Sequence, residues 1–203
     1  MSTCRHISKF AVLVLLLLAR QGAPATHPRQ TSLEQAGPVS PDEWKQFTDR
    51  LNAYAIVHKS AASGVPGAKP TDLPEVIAAR QLALARKIRE ARTNAKRGDI
   101  FSEDVTKVFR TVIRAQLQGP AGHDARTTIR QGDPLPEIQL KVNETYPPKL
   151  PITTVPPALL LKLPRLPSIL AYRIVGRQLV LLDVEANLVV DFVPDVIPDV
   201  EAR

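Results

Sequence analysis

Apolar side chains recur at steps of three and four residues in three stretches between about residues 41 and 118, the spacing of one face of an α-helix. In the first stretch, Ser40 is placed to act as N-cap, Pro41 to begin the helix and Glu43 to close a capping box. This helix is predicted to end near Ser60. Its predicted buried face comprises Trp44, Phe47, Leu51, Tyr54 and Val57.

Glycine and proline residues between Ala61 and Pro74 predict a connector to two further helices. The second helix is predicted from Glu75 to Arg97, with Gly98 as its C-terminal stop. The third is predicted to begin at Ser102 as N-cap and to end before Gly119-Pro120. Core faces are predicted at Ile77, Leu84, Ile88, Ala91 and Ala95 in the second helix, and at Val105, Val108, Phe109, Val112 and Ile113 in the third. A short helical turn is predicted around residues 124–130.

After Pro134 the spacing changes to the alternation of apolar and polar residues that is typical of a half-buried strand, at Ile138, Leu140 and Val142. Further on, Pro157 predicts a short helix that Pro164 ends. The last segment predicts a three-stranded β-meander with strands at 171–175, 179–183 and 188–193. The fold class is therefore predicted as α+β, with N-terminal helices followed by a small antiparallel sheet that ends in this meander.

The N-terminus has the three regions of a secretory signal peptide. Arg5 and Lys9 precede an apolar run from Phe10 to Ala19, and Ala23-Pro24-Ala25 fits a cleavage site. The run is about half the 20 residues that a membrane span needs, so no transmembrane span is expected after cleavage. We expect a signal peptide at 1–25, a disordered linker at 26–40, a helical region at 41–130, and a β-rich region at 131–203 packed on the helices as one domain.

Removal of residues 1–25 changes both the charge and the cysteine content. The whole chain has 27 basic and 20 acidic side chains, a formal charge of +7, and one cysteine. The predicted signal peptide holds three of the basic residues and Cys4, so 24 basic and 20 acidic side chains remain, a charge of +4. A chain without cysteine has no disulfide, no thiolate nucleophile and no cysteine-ligated zinc or iron–sulfur cluster.

Four stretches of the chain resemble a group of uncharacterised exported bacterial cell-envelope proteins. They are Gly98-Asp99-Ile100-Phe101, Val155 to Leu160, Tyr172 to Arg177, and Asn187 to Phe192. The resemblance extends from about Glu43 onward. It implies a bacterial cell-envelope setting, but no activity, cofactor or site residue is assigned to the group.

No motif in the sequence indicates catalytic, cofactor-binding or metal-binding residues. There is no G-x-S-x-G, S-x-x-K, G-x-G-x-x-G or Walker motif. His27, His58 and His123 are too far apart to predict a metal site, and Asp191, Asp195, Asp199 and Glu201 are interpreted as an acidic tail. His123-Asp124, in a glycine-containing loop, is the one place where a hydrolase base and its orienting carboxylate would come together.

The predicted second helix is strongly basic, with seven Lys or Arg against two Glu. Such a helix is either a solvated face or a patch that attracts an anionic surface. Nucleic acid is not expected as partner, because export separates the protein from it and no aromatic residues are interleaved in the helix. The possible anionic-surface patch comprises Arg80, Arg86, Lys87, Arg89 and Arg92.

The sequence therefore predicts an exported protein, periplasmic or extracellular, that is a non-catalytic binding or structural component of the envelope. Its expected partner is an anionic envelope surface or another envelope protein. The alternative is a hydrolase acting on an envelope polymer.

Overall fold

A computed structural model describes residues 41–66, 73–118, 139–147 and 153–197, together with Gly122 and Ile129. The predicted signal peptide, the linker, and the turn around 124–130 apart from Ile129 lie outside these residues. The helices are α1 (Pro41–Ser63), α2 (Pro74–Ala91), α3 (Glu103–Gln118) and α4 (Pro157–Leu160), and the strands are β1 (Thr153–Thr154), β2 (Leu170–Val175), β3 (Gln178–Asp183) and β4 (Leu188–Val193). This arrangement confirms the α+β fold class.

The four strands form one antiparallel sheet in the order β1-β2-β3-β4, and β2 to β4 are the predicted meander. Gly176, with φ of +56°, occupies the first position of the two-residue turn between β2 and β3, where a left-handed backbone favours glycine. Asn187, with φ of +49°, serves the next turn. The sequence did not single out β1, which has only two residues.

A β-bulge interrupts the pairing of β3 with β4. Leu181 pairs with Asp191 while the next residue, Leu182, pairs with Val189, so Val190 is an extra residue on β4. A bulge bends its strand and re-aims the side chains beside it. Val190 packs in the helix-side core, and Asp191 reaches the loop that follows α2.

The main core lies between the three long helices and one face of the sheet. At its centre the rings of Phe47 and Phe101 are both close to Phe109, with 5.0 Å between ring centroids in each case, and Trp44 meets Phe109 edge-on at 5.2 Å. Phe47, Leu51, Val105, Val108, Phe109 and Ile113 are buried, and Trp44 and Val112 are half-buried. The predicted packing of the first and third helical faces is thus confirmed.

The opposite face of the sheet is also buried, under the segment 140–146. This second core comprises Leu140, Tyr146, Val175, Val180, Leu182, Val189 and Phe192. Because both faces are covered, every residue of β4 is buried, which is why β4 is apolar at every position except Asp191 and shows no alternation.

Four of the sequence predictions for these elements are wrong. Of the predicted core face of the second helix, Leu84 and Ile88 are buried, but Ile77 is 45% exposed and Ala91 is exposed, because only the middle of the helix packs on the core. The second helix ends at Ala91 instead of Arg97, because Arg92 leaves the helical conformation at φ −124° and ψ 45°. In α1 the buried position after Tyr54 is His58, while Val57 is half-buried. The Ser102 side chain does not act as the predicted N-cap of α3, because its buried hydroxyl has no hydrogen-bond partner among the described residues. The backbone carbonyl of Ser102 accepts a hydrogen bond from Thr106 N at 2.7 Å.

The strand predicted around Ile138 is also wrong where the chain is described, from residue 139 onward. Instead, residues 143–146 run along the outer edge of β4. Asn143 N donates to Val189 O at 2.8 Å, and Val189 N donates to Glu144 O at 2.9 Å. Asn143 has φ of +64°, which interrupts the extended backbone that a strand requires.

Among the described residues, none of the helices combines the length and the apolar character that crossing a membrane would require.

Candidate functional site

A groove of about 620 Å³ opens beside α4, between the loop that follows this helix and the start of β2. Ligand sites for small molecules typically have volumes of roughly 300–1,000 Å³ and mainly apolar walls. The groove fits that description, and among its described lining residues the polar side chains are those of Thr154, Tyr172, Arg165 and Arg173. The apolar lining comprises Val155, Leu160, Leu161, Leu163, Pro164, Leu166, Leu170 and Ala171.

Two prolines shape the wall of the groove that α4 provides. Pro156 has an extended backbone at φ −52° and ψ 137°, and Pro157 begins the helical turn. Leu159 and Leu163, four residues apart, lie on one side of this turn and are buried in the main core. Leu160 and Leu161 therefore project outward, and they are 48% and 85% exposed.

The stretch of sequence that supplies the described lining of the groove is basic. From residue 146 to residue 182 the sequence contains five Lys or Arg and no Asp or Glu. Among the described residues, the side chains of Lys162 and Arg165 have no carboxylate partner, and both residues are exposed. Arg173 also lines the groove, and its Nη1 donates to the carbonyl of Tyr172 at 3.0 Å. Among the described residues, the charged side chains that line the groove are Arg165 and Arg173, and both are cationic.

A second polar cluster is buried between α1 and the turn that joins β3 to β4. The Tyr54 hydroxyl and His58 Nδ1 both donate to Asp183 Oδ2, each at 2.6 Å. The other oxygen of Asp183 accepts from the backbone N–H groups of Glu185 and Ala186 at 3.0 and 2.8 Å. Asp183 thus caps the turn and ties it to α1 at the same time.

The protonation of this cluster follows from its partners. The hydrogen bond to Asp183 raises the pKa of His58 above its ordinary value, and desolvation opposes this rise only in part. Burial, with Asp183 beside it, raises the pKa of the Tyr54 hydroxyl far above its usual range. Tyr54 therefore remains a neutral donor to the carboxylate at every physiological pH.

The cluster lacks the arrangement that catalysis or metal binding needs. His58 Nε2 faces Glu185 Oε2 at 3.4 Å, so the two carboxylates lie at opposite nitrogens of the imidazole and cannot converge on one ion. No group of three or more His, Cys, Asp or Glu side chains suited to a metal ion occurs in the described part of the chain. What the observed contacts do is hold α1 against the sheet.

The five basic residues of the predicted patch do not share one surface role. Arg89 donates to Asn143 O and to Thr145 Oγ1, both at 2.7 Å. The side chain of Arg92 is only 10% exposed; its guanidinium lies 5.1 Å from the centre of the Tyr54 ring and bonds to Asn143 Oδ1 at 3.1 Å. These two arginines fix the segment 143–145 to α2.

The other three members of the patch, Arg80, Arg86 and Lys87, remain toward solvent. The side chain of Arg86 is 72% exposed and pairs loosely with Glu90 at 3.9 Å. Arg80 and Lys87 are half-buried, and Arg80 donates to the carbonyl of Pro66. The solvent-facing part of the patch is therefore smaller than the sequence predicted.

The interpretation of Asp191 as part of an acidic tail is wrong. Asp191 is fully buried, and its carboxylate accepts from the backbone N–H groups of Gly98, Ile100, Phe101 and Phe192 at 2.8–3.2 Å. Burial raises its pKa, and these hydrogen bonds work against the rise. Asp195 is exposed and lies 3.7 Å from Arg177, whereas Asp199, Glu201, His27 and His123 lie outside the described residues.

Comparison of the chain with protein-family models, with curated proteins and with solved structures found no match. The function must therefore be inferred from the geometry of the groove and of the buried polar groups around Asp183 and Asp191.

Proposed function

We propose that the protein is an exported, non-catalytic binding component of the bacterial cell envelope, and that its groove holds an amphipathic molecule with an apolar body and an anionic group. The groove itself carries this proposal, because it joins apolar walls to Arg165 and Arg173 and because none of its described lining residues is a carboxylate. Leucine side chains favour an apolar body through the hydrophobic effect. Guanidinium groups favour a carboxylate, sulfate or phosphate.

Binding is a better account than hydrolysis for the described part of the chain. A hydrolase of the serine type needs a hydroxyl nucleophile within hydrogen-bond reach of its base. The contacts of His58 are with Asp183 and Glu185, and the neighbouring hydroxyl, that of Tyr54, is itself bound to Asp183. This cluster supports a structural role.

The signal-like N-terminus supports a periplasmic or extracellular location for this binding protein. The envelope offers many molecules that combine an apolar chain with an anionic group, and it also offers extended anionic surfaces. The exposed side chain of Arg86, with Arg80 and Lys87 nearby on α2, would add to the attraction of such a surface, at about 1 kcal/mol per basic side chain close to an anionic membrane. Another envelope protein is the alternative partner.

Calorimetric titration with small amphiphiles tests the proposal. We expect the protein that begins at Thr26 to bind decanoate, to bind uncharged decanol more weakly, and to leave acetate unbound. Replacement of the exposed Arg165 by Gln should weaken decanoate binding about five-fold, because one charge-assisted contact of about 1 kcal/mol is lost.

The matched control is Arg114→Gln, which removes another exposed arginine, on α3. It should leave decanoate binding unchanged. Failure of decanoate to bind, or equal losses in the two variants, would refute a charged ligand site in the groove.

A further inference from the structure

The tip of α4 presents two adjacent leucines to solvent on a turn that is anchored by buried neighbours. Leu161 is 85% exposed and Leu160 is 48% exposed, while Leu159 beside them is fully buried. The turn is closed by hydrogen bonds from Leu161 N to Pro157 O at 3.0 Å and from Lys162 N to Leu159 O at 2.9 Å. Buried Leu159 and Leu163 therefore hold the exposed pair outward.

Basic residues flank this leucine pair, and acidic residues are absent from the surrounding sequence. Lys162 follows directly, Arg165 lies three residues further along the chain, and both are exposed. The nearest acidic residues in the sequence are Glu144 and Asp183, which are 17 and 22 positions away from Leu161. Exposed apolar side chains beside Lys and Arg are the composition of segments that lie in the interface of an anionic membrane.

We infer that the tip of α4, formed by Leu160, Leu161, Lys162 and Arg165, docks on an anionic lipid bilayer and inserts its two leucines among the lipids. The inference deepens the proposed function and rests on it, because Leu160, Leu161 and Arg165 also line the groove. Docking would place the mouth of the groove at the bilayer surface. An amphipathic anionic lipid could then enter from the membrane without crossing water.

The charge distribution favours a lipid bilayer over a soluble acidic partner. A soluble polyanion would be held by Lys162 and Arg165 alone, and it would give the outward-held leucines no apolar environment. A bilayer satisfies both features, since anionic headgroups lie directly above acyl chains. Stable attachment of a peripheral protein to a membrane needs two weak attractions that act together. Here they are the insertion of the leucines and the attraction of Lys162 and Arg165 to anionic headgroups.

A single-cysteine fluorescence experiment tests the insertion directly. The only cysteine of the whole chain is Cys4, so in the protein that begins at Thr26 a Leu161→Cys substitution gives one site for an environment-sensitive fluorophore. We expect a blue shift on addition of vesicles of phosphatidylglycerol and phosphatidylethanolamine, and none with phosphatidylcholine alone. The matched control is the fluorophore at Ile56→Cys, a position on α1 that is 70% exposed, where no shift is expected.

Substitutions should separate the apolar and the ionic contributions in vesicle co-sedimentation. The double variant Leu160→Ser, Leu161→Ser should bind anionic vesicles at least ten-fold more weakly at any salt concentration. The double variant Lys162→Glu, Arg165→Glu should bind anionic vesicles about ten-fold more weakly at 0.1 M salt. At 1 M salt its affinity should differ little from that of the wild type, because the Debye length falls to about 3 Å. Ile56→Ser should bind as the wild type does.

Failure of docking can be told apart from failure of the proposed function. Decanoate binding together with no vesicle binding would overturn docking and leave the groove as a binding site. Vesicle binding without a shift at position 161, or equal shifts at positions 161 and 56, would overturn insertion by α4. Preference for soluble polyglutamate over vesicles would overturn the choice of a bilayer as partner.

Discussion

His58 is buried in a position where its charge is coupled to stability. It donates to Asp183 on one side and faces Glu185 on the other, and the pKa of the imidazole in the folded protein is raised above its ordinary value of 6.5. A group whose pKa is raised by folding stabilises the folded protein fully below its unfolded-state pKa. That contribution is lost as the pH rises through the folded-state pKa.

Comparison of the wild type with His58→Gln over a range of pH checks this coupling. We expect the wild type to exceed the variant in free energy of unfolding most at pH 5.5, and the difference to shrink as the pH is raised past the folded-state pKa, which lies above 6.5. Part of the difference should persist at pH 9, because neutral histidine still donates from Nδ1 to Asp183. Urea denaturation at pH 5.5, 7 and 9 measures it. A difference that is constant or grows with pH would contradict the coupling.

The burial of the two aspartates could be predicted from the sequence, but their partners could not. Asp183 follows Leu-Leu, and Asp191 stands inside Val-Val-Asp-Phe-Val, so each is a charged residue in an apolar strand. This pattern alone indicates a buried carboxylate that needs partners. The partners themselves could not be predicted, because His58 is 125 positions from Asp183 and Gly98 is 93 positions from Asp191.

At the scale of secondary structure elements, helix α3 shows how strongly a periodic pattern determines packing. Phe109 is fully buried among Trp44, Phe47, Phe101 and Tyr172, with ring centroids 5.0–6.0 Å apart. Truncation of such a phenylalanine removes its apolar burial and leaves a cavity. The expected cost of Phe109→Ala is about 3–5 kcal/mol of unfolding free energy, measured by urea denaturation.

The control for this prediction is Leu82→Ala on α2. Leu82 is 60% exposed, so its truncation should change the unfolding free energy by roughly 0.5 kcal/mol or less. If Phe109→Ala unfolds at the same urea concentration as the wild type, the aromatic cluster is not the core of the helical part.

The elements that the sequence predicted correctly are those whose signals are local. The three long helices and the meander follow from the spacing of apolar residues and from turn residues such as Gly176. The end of α2 and the path of residues 139–146 depend on distant contacts. Arg92 O accepts from Asn143 Nδ2 at 2.7 Å, and Asp191 binds the loop after α2, so long-range hydrogen bonds overrode the local helical pattern.

The candidate groove was harder to predict for a related reason. Its chemistry was visible in the sequence as a run of Leu, Pro, Lys and Arg without acidic residues between positions 146 and 182. Its concavity was not, because it arises where α4 and its following loop pack against β2. The basic residues of the second helix were the stronger indication of an anion-binding surface. In the structure, however, Arg89 and Arg92 bind backbone and side-chain oxygens in the segment 143–145.

For the whole molecule, the proposed function depends on delivery to the envelope. Cleavage by a signal peptidase requires small side chains at the first and third positions before the cut, here Ala23 and Ala25. We expect the chain expressed in a bacterial host to appear outside the cytosol with Thr26 at its N-terminus, as determined by mass spectrometry of the intact protein.

Ala25→Arg should block cleavage and leave the protein membrane-bound and longer by 25 residues, since the apolar run would remain attached. The matched control Ala36→Arg, which adds the same charge beyond the cleavage site, should be processed as the wild type is. Recovery of the wild-type protein from the cytosol with Met1 still present would refute export and, with it, the envelope as the source of the ligand.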